Sequence, residues 1–102
     1  MIEDELAQGR AAQAAGIPGR ARVCARRAAG LALKAWFQAR DGGQWGGDAM
    51  KQLKRVQAEP AAPEAVRAAA ERLTTKVDHD HALPLDNDPL VDAELIIAFT
   101  QG

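Results

Sequence analysis

Residues 19–40, GRARVCARRAAGLALKAWFQAR, constrain this chain more than any other stretch. Alanine, leucine, arginine, lysine and glutamine dominate it, and all are good helix formers. Val23, Cys24, Ala28, Leu31, Ala35 and Trp36 recur at spacings of three and four, which predicts one amphipathic helix over residues 19–39. The side that carries Val23, Leu31 and Trp36 is expected to face a helical core. Gly30 falls in the middle of this helix. It costs about 1 kcal/mol against alanine in a solvated helix, so its expected role is to let another helix come close.

Punctuation on either side divides the rest of the chain into further helices. Residues 3–15 read as a first helix, with acidic residues in its first turn, where the helix dipole favours them. Gly16, Pro18 and Gly19 break it. Asp41-Gly42-Gly43-Gln44-Trp45-Gly46-Gly47 is a loop in which Trp45 is expected to anchor to the core. It lacks the arrangement of a phosphate-binding loop, and no strand precedes it. Asp48 is a good cap for a third helix with Ala49, Met50, Leu53 and Val56 on one face. Residues 59–63, EPAAP, end it, and Pro63 suits the first turn of a fourth helix. There Val66, Ala70, Leu73 and Val77 form an apolar stripe, with Arg67, Glu71, Arg72 and Lys76 expected outward. Residues 78–88, DHDHALPLDND, form a polar connection. Asp88 and Pro89 then open a fifth helix over residues 89–100.

The expected fold is therefore all-α: one domain over residues 1–102, with about five helices in a mostly antiparallel bundle. Hydrophobic residues make up 47% of the chain, but many are alanines that bury little area each, so the core is modest. Small cores are commonly supplemented, and the single cysteine, Cys24, cannot form an internal disulfide. A homodimer is the natural supplement. The N-terminal residues MIEDELAQ carry no export signal, and no run is long enough to span a membrane. With one thiol, this fits a cytoplasmic protein.

Charge is polarised along the chain. Residues 1–55 carry ten Lys/Arg against five Asp/Glu, and residues 56–102 carry three against nine. The net charge of −1 argues against strong non-specific nucleic-acid binding. The basic half concentrates its charge in Arg20, Arg22, Arg26 and Arg27, a candidate ligand-binding cluster. Arg22 and Arg26 share one helix face, and Arg20, Arg27 and Lys34 share another. Arginine forks suit phosphate or carboxylate, so a nucleotide, RNA or partner protein is the expected ligand. The plainer expectation is a solvated face, or one ion-paired with the acidic C-terminal half.

Three other groups carry chemistry. Asp78, His79, Asp80 and His81 are legal ligands for a divalent ion. They lack the additional ligands of structural zinc sites and the spacing of a calcium loop, so a solvated acidic loop is expected, with no metal or cofactor. Cys24 is expected to be a buried structural thiol. Arg72 and His79 pair a phosphate-holding cation with a general acid or base. Such a pair could cleave RNA by 2′-hydroxyl attack without a metal.

The size, the all-helical plan, the long arginine-containing second helix and the Arg72…His79 element together resemble HEPN domains. These are small helical partners of prokaryotic nucleotidyltransferases, and toxin ribonucleases. The resemblance implies a homodimeric bundle with a cleft between subunits. We expect a non-catalytic interaction module of this type acting through Arg20, Arg22, Arg26 and Arg27. The alternative is a metal-independent endoribonuclease in which Arg72 and His79 are catalytic.

Overall fold

A computed structural model of the chain describes residues 1–41, 46–75 and 88–102. It contains five α-helices among the described residues: α1 Ile2–Ala14, α2 Pro18–Asp41, α3 Ala49–Gln57, α4 Glu64–Thr74 and α5 Pro89–Gln101. The all-α expectation holds. Trp45 and Val77 fall outside the described residues.

The helix boundaries follow from local chemistry. Gly16 has φ +75°, the left-handed conformation that favours glycine. Around it, the Ile17 amide donates to the Ala12 carbonyl at 2.8 Å and the Gly16 amide to the Gln13 carbonyl at 3.1 Å. This pairing is a Schellman stop. Pro18 then opens α2, where its missing N–H is no loss. Asp48 caps α3 by accepting from the Lys51 amide at 3.1 Å. Asp88 caps α5 by accepting from the Leu90 amide at 2.8 Å, with Pro89 as the first helical residue. Pro63 stands just before the first residue of α4 rather than within its first turn.

Helix α2 is the centre of the molecule and packs on α1, α3 and α5. Ala25, Ala29, Leu33 and Phe37 meet Leu53 and Val56 of α3, Val66, Ala70 and Leu73 of α4, and Leu90 and Ile96 of α5. On another side, Ala28 and Ala32 join Ile97, with Ile2 and Leu6 of α1 laid over them. Helix α1 runs antiparallel to α5, because Gln13 reaches Asp88 at 2.7 Å while Ile2 lies against Ile97. Trp36 is half-buried against Phe37 and Phe99, with ring centroids 5.1 and 5.0 Å away. Cys24 is a buried free thiol.

The expected core face of α2 needs correction. Val23 is 39% exposed, Ala35 is exposed, and Leu31 is only half-buried. With helices on several sides, the buried arc of α2 is wide and built largely from alanines. A search for large apolar residues at helical spacing therefore misplaces it. Gly30 is buried as expected for a close approach: a Cβ there would lie 2.5 Å from the Ala49 Cβ and 2.6 Å from its Cα. Gly30→Ala should therefore destabilise by about 1–3 kcal/mol, the usual cost of overpacking against backbone. A Cβ at Gly19, in the first turn of the same helix, meets nothing within 4 Å. Gly19→Ala should stabilise by about 0.4–1 kcal/mol by restricting the unfolded chain. Urea denaturation of both variants checks the pair.

Candidate functional site

The four arginines at the start of α2 divide into two sets. Arg22 and Arg26 face the carboxyl end of α4. The last carbonyls of a helix lack intrahelical donors, and here the arginines supply them. Arg22 Nη2 donates to the Arg72 carbonyl at 2.5 Å and to the Thr75 carbonyl at 2.7 Å. Arg26 Nε donates to the Leu73 carbonyl at 2.6 Å. Their spacing of four places them one above the other, which matches successive carbonyls of the α4 end. A cation at a helix C-terminus is also favoured by the dipole. Arg22 is buried, with only 7% of its surface exposed. Burial lowers its pKa, Arg26 adds to the fall, and Asp92 opposes it. Burial lowers Arg26 as well.

Arg72, expected to point outward, turns instead to α5. Asp92 accepts from its Nη2 at 2.8 Å and from its Nε at 3.1 Å, a bidentate pair. Asp92 is buried, and the bond raises the Arg72 pKa. The positions suit both dipoles, with the cation in the last turn of α4 and the carboxylate in the first turn of α5. Asp92 was not singled out from sequence. A carboxylate in the first turn of a helix is ordinary, and only packing against α4 buries it. His79, with Asp78, Asp80 and His81, lies outside the described residues. Among the described residues, no cluster of three or more metal-ligating side chains occurs.

Arg20 and Arg27 form the second set. Both are exposed, and with Lys34 they line one stripe of α2, interleaved with Val23 and Leu31. Beside the stripe lies a cleft of about 300 Å³ where α1, α2 and the start of α3 meet. Arg27 and Lys34 reach it from α2, Glu5 from α1 and Gln52 from α3, over Leu31 and the Gly30–Ala49 contact. Gln52 is only 1% exposed. Its amide donates to the Gly46 and Gly47 carbonyls at 3.3 and 3.5 Å, while its Oε1 accepts no hydrogen bond. Glu5 Oε2 is likewise buried without a donor. Neither residue stood out in the sequence, because their relation exists only across the α1–α2–α3 junction.

No protein-family model, curated protein or solved structure matches this chain. Among the described residues, no helix is long and apolar enough to cross a membrane.

Two contrasts check the division of the arginines. Arg26→Gln should cost about 1.5–3 kcal/mol, the value of a hydrogen bond from a charged group. Arg27→Gln should stay within about 0.5 kcal/mol of the parent, as for an ordinary surface change. Asp92→Asn should cost about 2–3 kcal/mol. That is below the ~3–5 kcal/mol of a fully buried pair, because Arg72 is 28% exposed. Equilibrium unfolding in urea measures all three.

Proposed function

We propose that this chain is a non-catalytic, cytoplasmic, HEPN-like interaction module that docks a partner protein along the outer stripe of α2. One observation carries this. Arg22, Arg26 and Arg72 are committed to holding helices together, whereas Arg20, Arg27 and Lys34 have no hydrogen-bond or ion-pair partner among the described residues. The stripe from Arg20 to Lys34 extends about 21 Å at 1.5 Å per residue, enough for an extended contact with a helix or loop.

Its composition favours protein over RNA. Val23 and Leu31 alternate with the cations, so a partner gains by bringing apolar side chains between its carboxylates. Among the described residues, no exposed aromatic platform for bases accompanies the cations. The net charge of −1 also disfavours a polyanion. The homodimer belongs to the same proposal. Val91 and Leu95, one turn apart on α5, are 59% and 40% exposed and offer an apolar contact for a second copy.

Photo-crosslinking in cells tests the docking stripe. A crosslinker at Val23 should form a discrete protein adduct, and one at Ala65, on the surface of α4, should not. The combined Arg20→Glu, Arg27→Glu and Lys34→Glu variant should lose the adduct while unfolding at the parent midpoint. A ribonuclease-sensitive adduct would replace protein by RNA as the partner, and no adduct at Val23 would overturn the proposal. Sedimentation equilibrium should give twice the chain mass; a monomer at micromolar concentration would refute the dimer.

A further inference from the structure

Helix α3 carries a further set of cations, on a different helix from the docking stripe. Lys51, Lys54 and Arg55 fall within five residues, and α3 contains no acidic residue. Spacings of three and four make them neighbours on the helix surface, with Cβ atoms about 5–6 Å apart, and like charges so placed oppose helix formation. The helix dipole accounts for only part of the pattern. Lys54 and Arg55 suit the last turn, but Lys51 stands in the first turn, at the positive end of the dipole. The two acidic residues that flank α3 are engaged elsewhere. Asp48 accepts from the Lys51 backbone amide at 3.1 Å, and Arg40 binds Glu59. The side chains of Lys51 and Lys54 are exposed and have no hydrogen-bond or ion-pair partner among the described residues. The repulsion within α3 therefore brings no return inside the chain.

These cations share an open cleft of about 560 Å³, lined by Gly46, Lys51, Lys54, Arg55 and Ala58. Every charged group that lines it among the described residues is positive. Two of the three are held in place. A Cβ on Gly47 would lie 2.6 Å from the Lys51 Cδ, so the lysine stem rests directly on this glycine. Gly47 has φ +112°, a conformation that favours glycine and keeps the space open. The Arg55 guanidinium sits over the Phe37 ring, 5.2 Å from its centroid, which fixes the end of that side chain.

Charge and shape restrict the occupant. A carboxylate balances one cation of three. A single phosphate group carries about 1.5–2 negative charges and still leaves an excess. Two linked phosphate groups match all three and offer acceptor oxygens to cations on adjacent turns. Ala58 is the only wholly apolar residue in the lining, and no aromatic side chain among the described residues lines it to stack a base. A long polyanion would also meet the acidic surface of a chain whose net charge is −1. A small anion touches this patch alone.

We propose that the α3 cleft is a binding site for a small, free diphosphate anion. Lys51 and Lys54 meet its oxygens as point charges, and Arg55 supplies the third charge. The site shares no residue with the docking stripe, so it stands or falls apart from the proposed partner protein.

Amide NMR titration of the full chain with inorganic diphosphate, at a constant ionic strength of about 0.1 M, provides the test. Saturable shifts should centre on residues 46–58, with a Kd of about 1 mM or tighter. Sulfate at the same ionic strength should bind at least about fivefold more weakly, because it brings less charge to the three cations. Lys51→Gln and Lys54→Gln together should weaken diphosphate by about tenfold. The proposal is overturned if diphosphate gives no saturable shift, if sulfate matches it, or if the shifts centre on residues 20–34 instead. A folded double variant that binds as the parent does overturns it equally. The comparison of diphosphate with sulfate uses the unaltered chain and stands even where a variant folds poorly.

Discussion

The buried polar junction where α2, α4 and α5 meet is the interaction on which the other arrangements depend. Asp92 holds Arg72 by two parallel hydrogen bonds, while Arg22 and Arg26 supply donors to the carbonyls that end α4. The buried Asp92 carboxylate thus binds Arg72 and acts electrostatically on Arg22, while Arg26 is bound to the Leu73 carbonyl. The excess of cations is tolerable because the helix carbonyls carry much of the remaining negative charge. A polar network of this kind contributes less net stability than its bond count suggests, since each charge loses water on burial. Its stronger effect is on position. Carbonyl and carboxylate geometry admit few alternative placements for α4 against α2, whereas an alanine-rich interface would tolerate sliding.

Small side chains set the second constraint. Ala25, Ala28, Ala29, Ala32 and Gly30 let α2 receive neighbours on several sides. The Gly30–Ala49 contact draws the start of α3 onto the middle of α2. That approach brings Gln52 within reach of the α1–α2 groove and so creates the cleft. The core beyond it relies on a few larger residues, Leu33, Phe37, Leu53, Leu73 and Ile96 among them. With so little apolar volume in each contact, loss of close packing at Gly30 is felt directly.

These two constraints separate structural from available charge. Before folding, charge alone does not separate Arg20, Arg22, Arg26, Arg27, Lys34 and Arg72. After folding, Arg22, Arg26 and Arg72 are fixed by partners inside the protein. Arg20, Arg27 and Lys34 stay on an outer stripe next to the cleft. The proposed partner surface follows from this sorting and does not need Arg72 to leave Asp92.

The sequence by itself determined the helices and most of their ends. Helical composition, the Gly16–Pro18 break and the caps Asp48 and Asp88 act through neighbouring residues, so one-dimensional reading captures them. The α4 stripe was legible over Val66, Ala70 and Leu73 from its period, and the close approach at Gly30 from the cost of a glycine in mid-helix. The wide buried arc of α2 was not: Val23 and Ala35 satisfy the helical period yet face outward, because period alone does not say how many neighbours a helix will have. Nor did charge pattern reveal that Arg22 and Arg26 answer to carbonyls rather than to the acidic residues of the second half. A carbonyl belongs to every residue and leaves no mark in sequence. Only the tertiary structure decided which arginines remain at the surface, that Asp92 is buried, and that Glu5 and Gln52 share one cleft. Those outcomes depend on contacts between segments far apart in the chain.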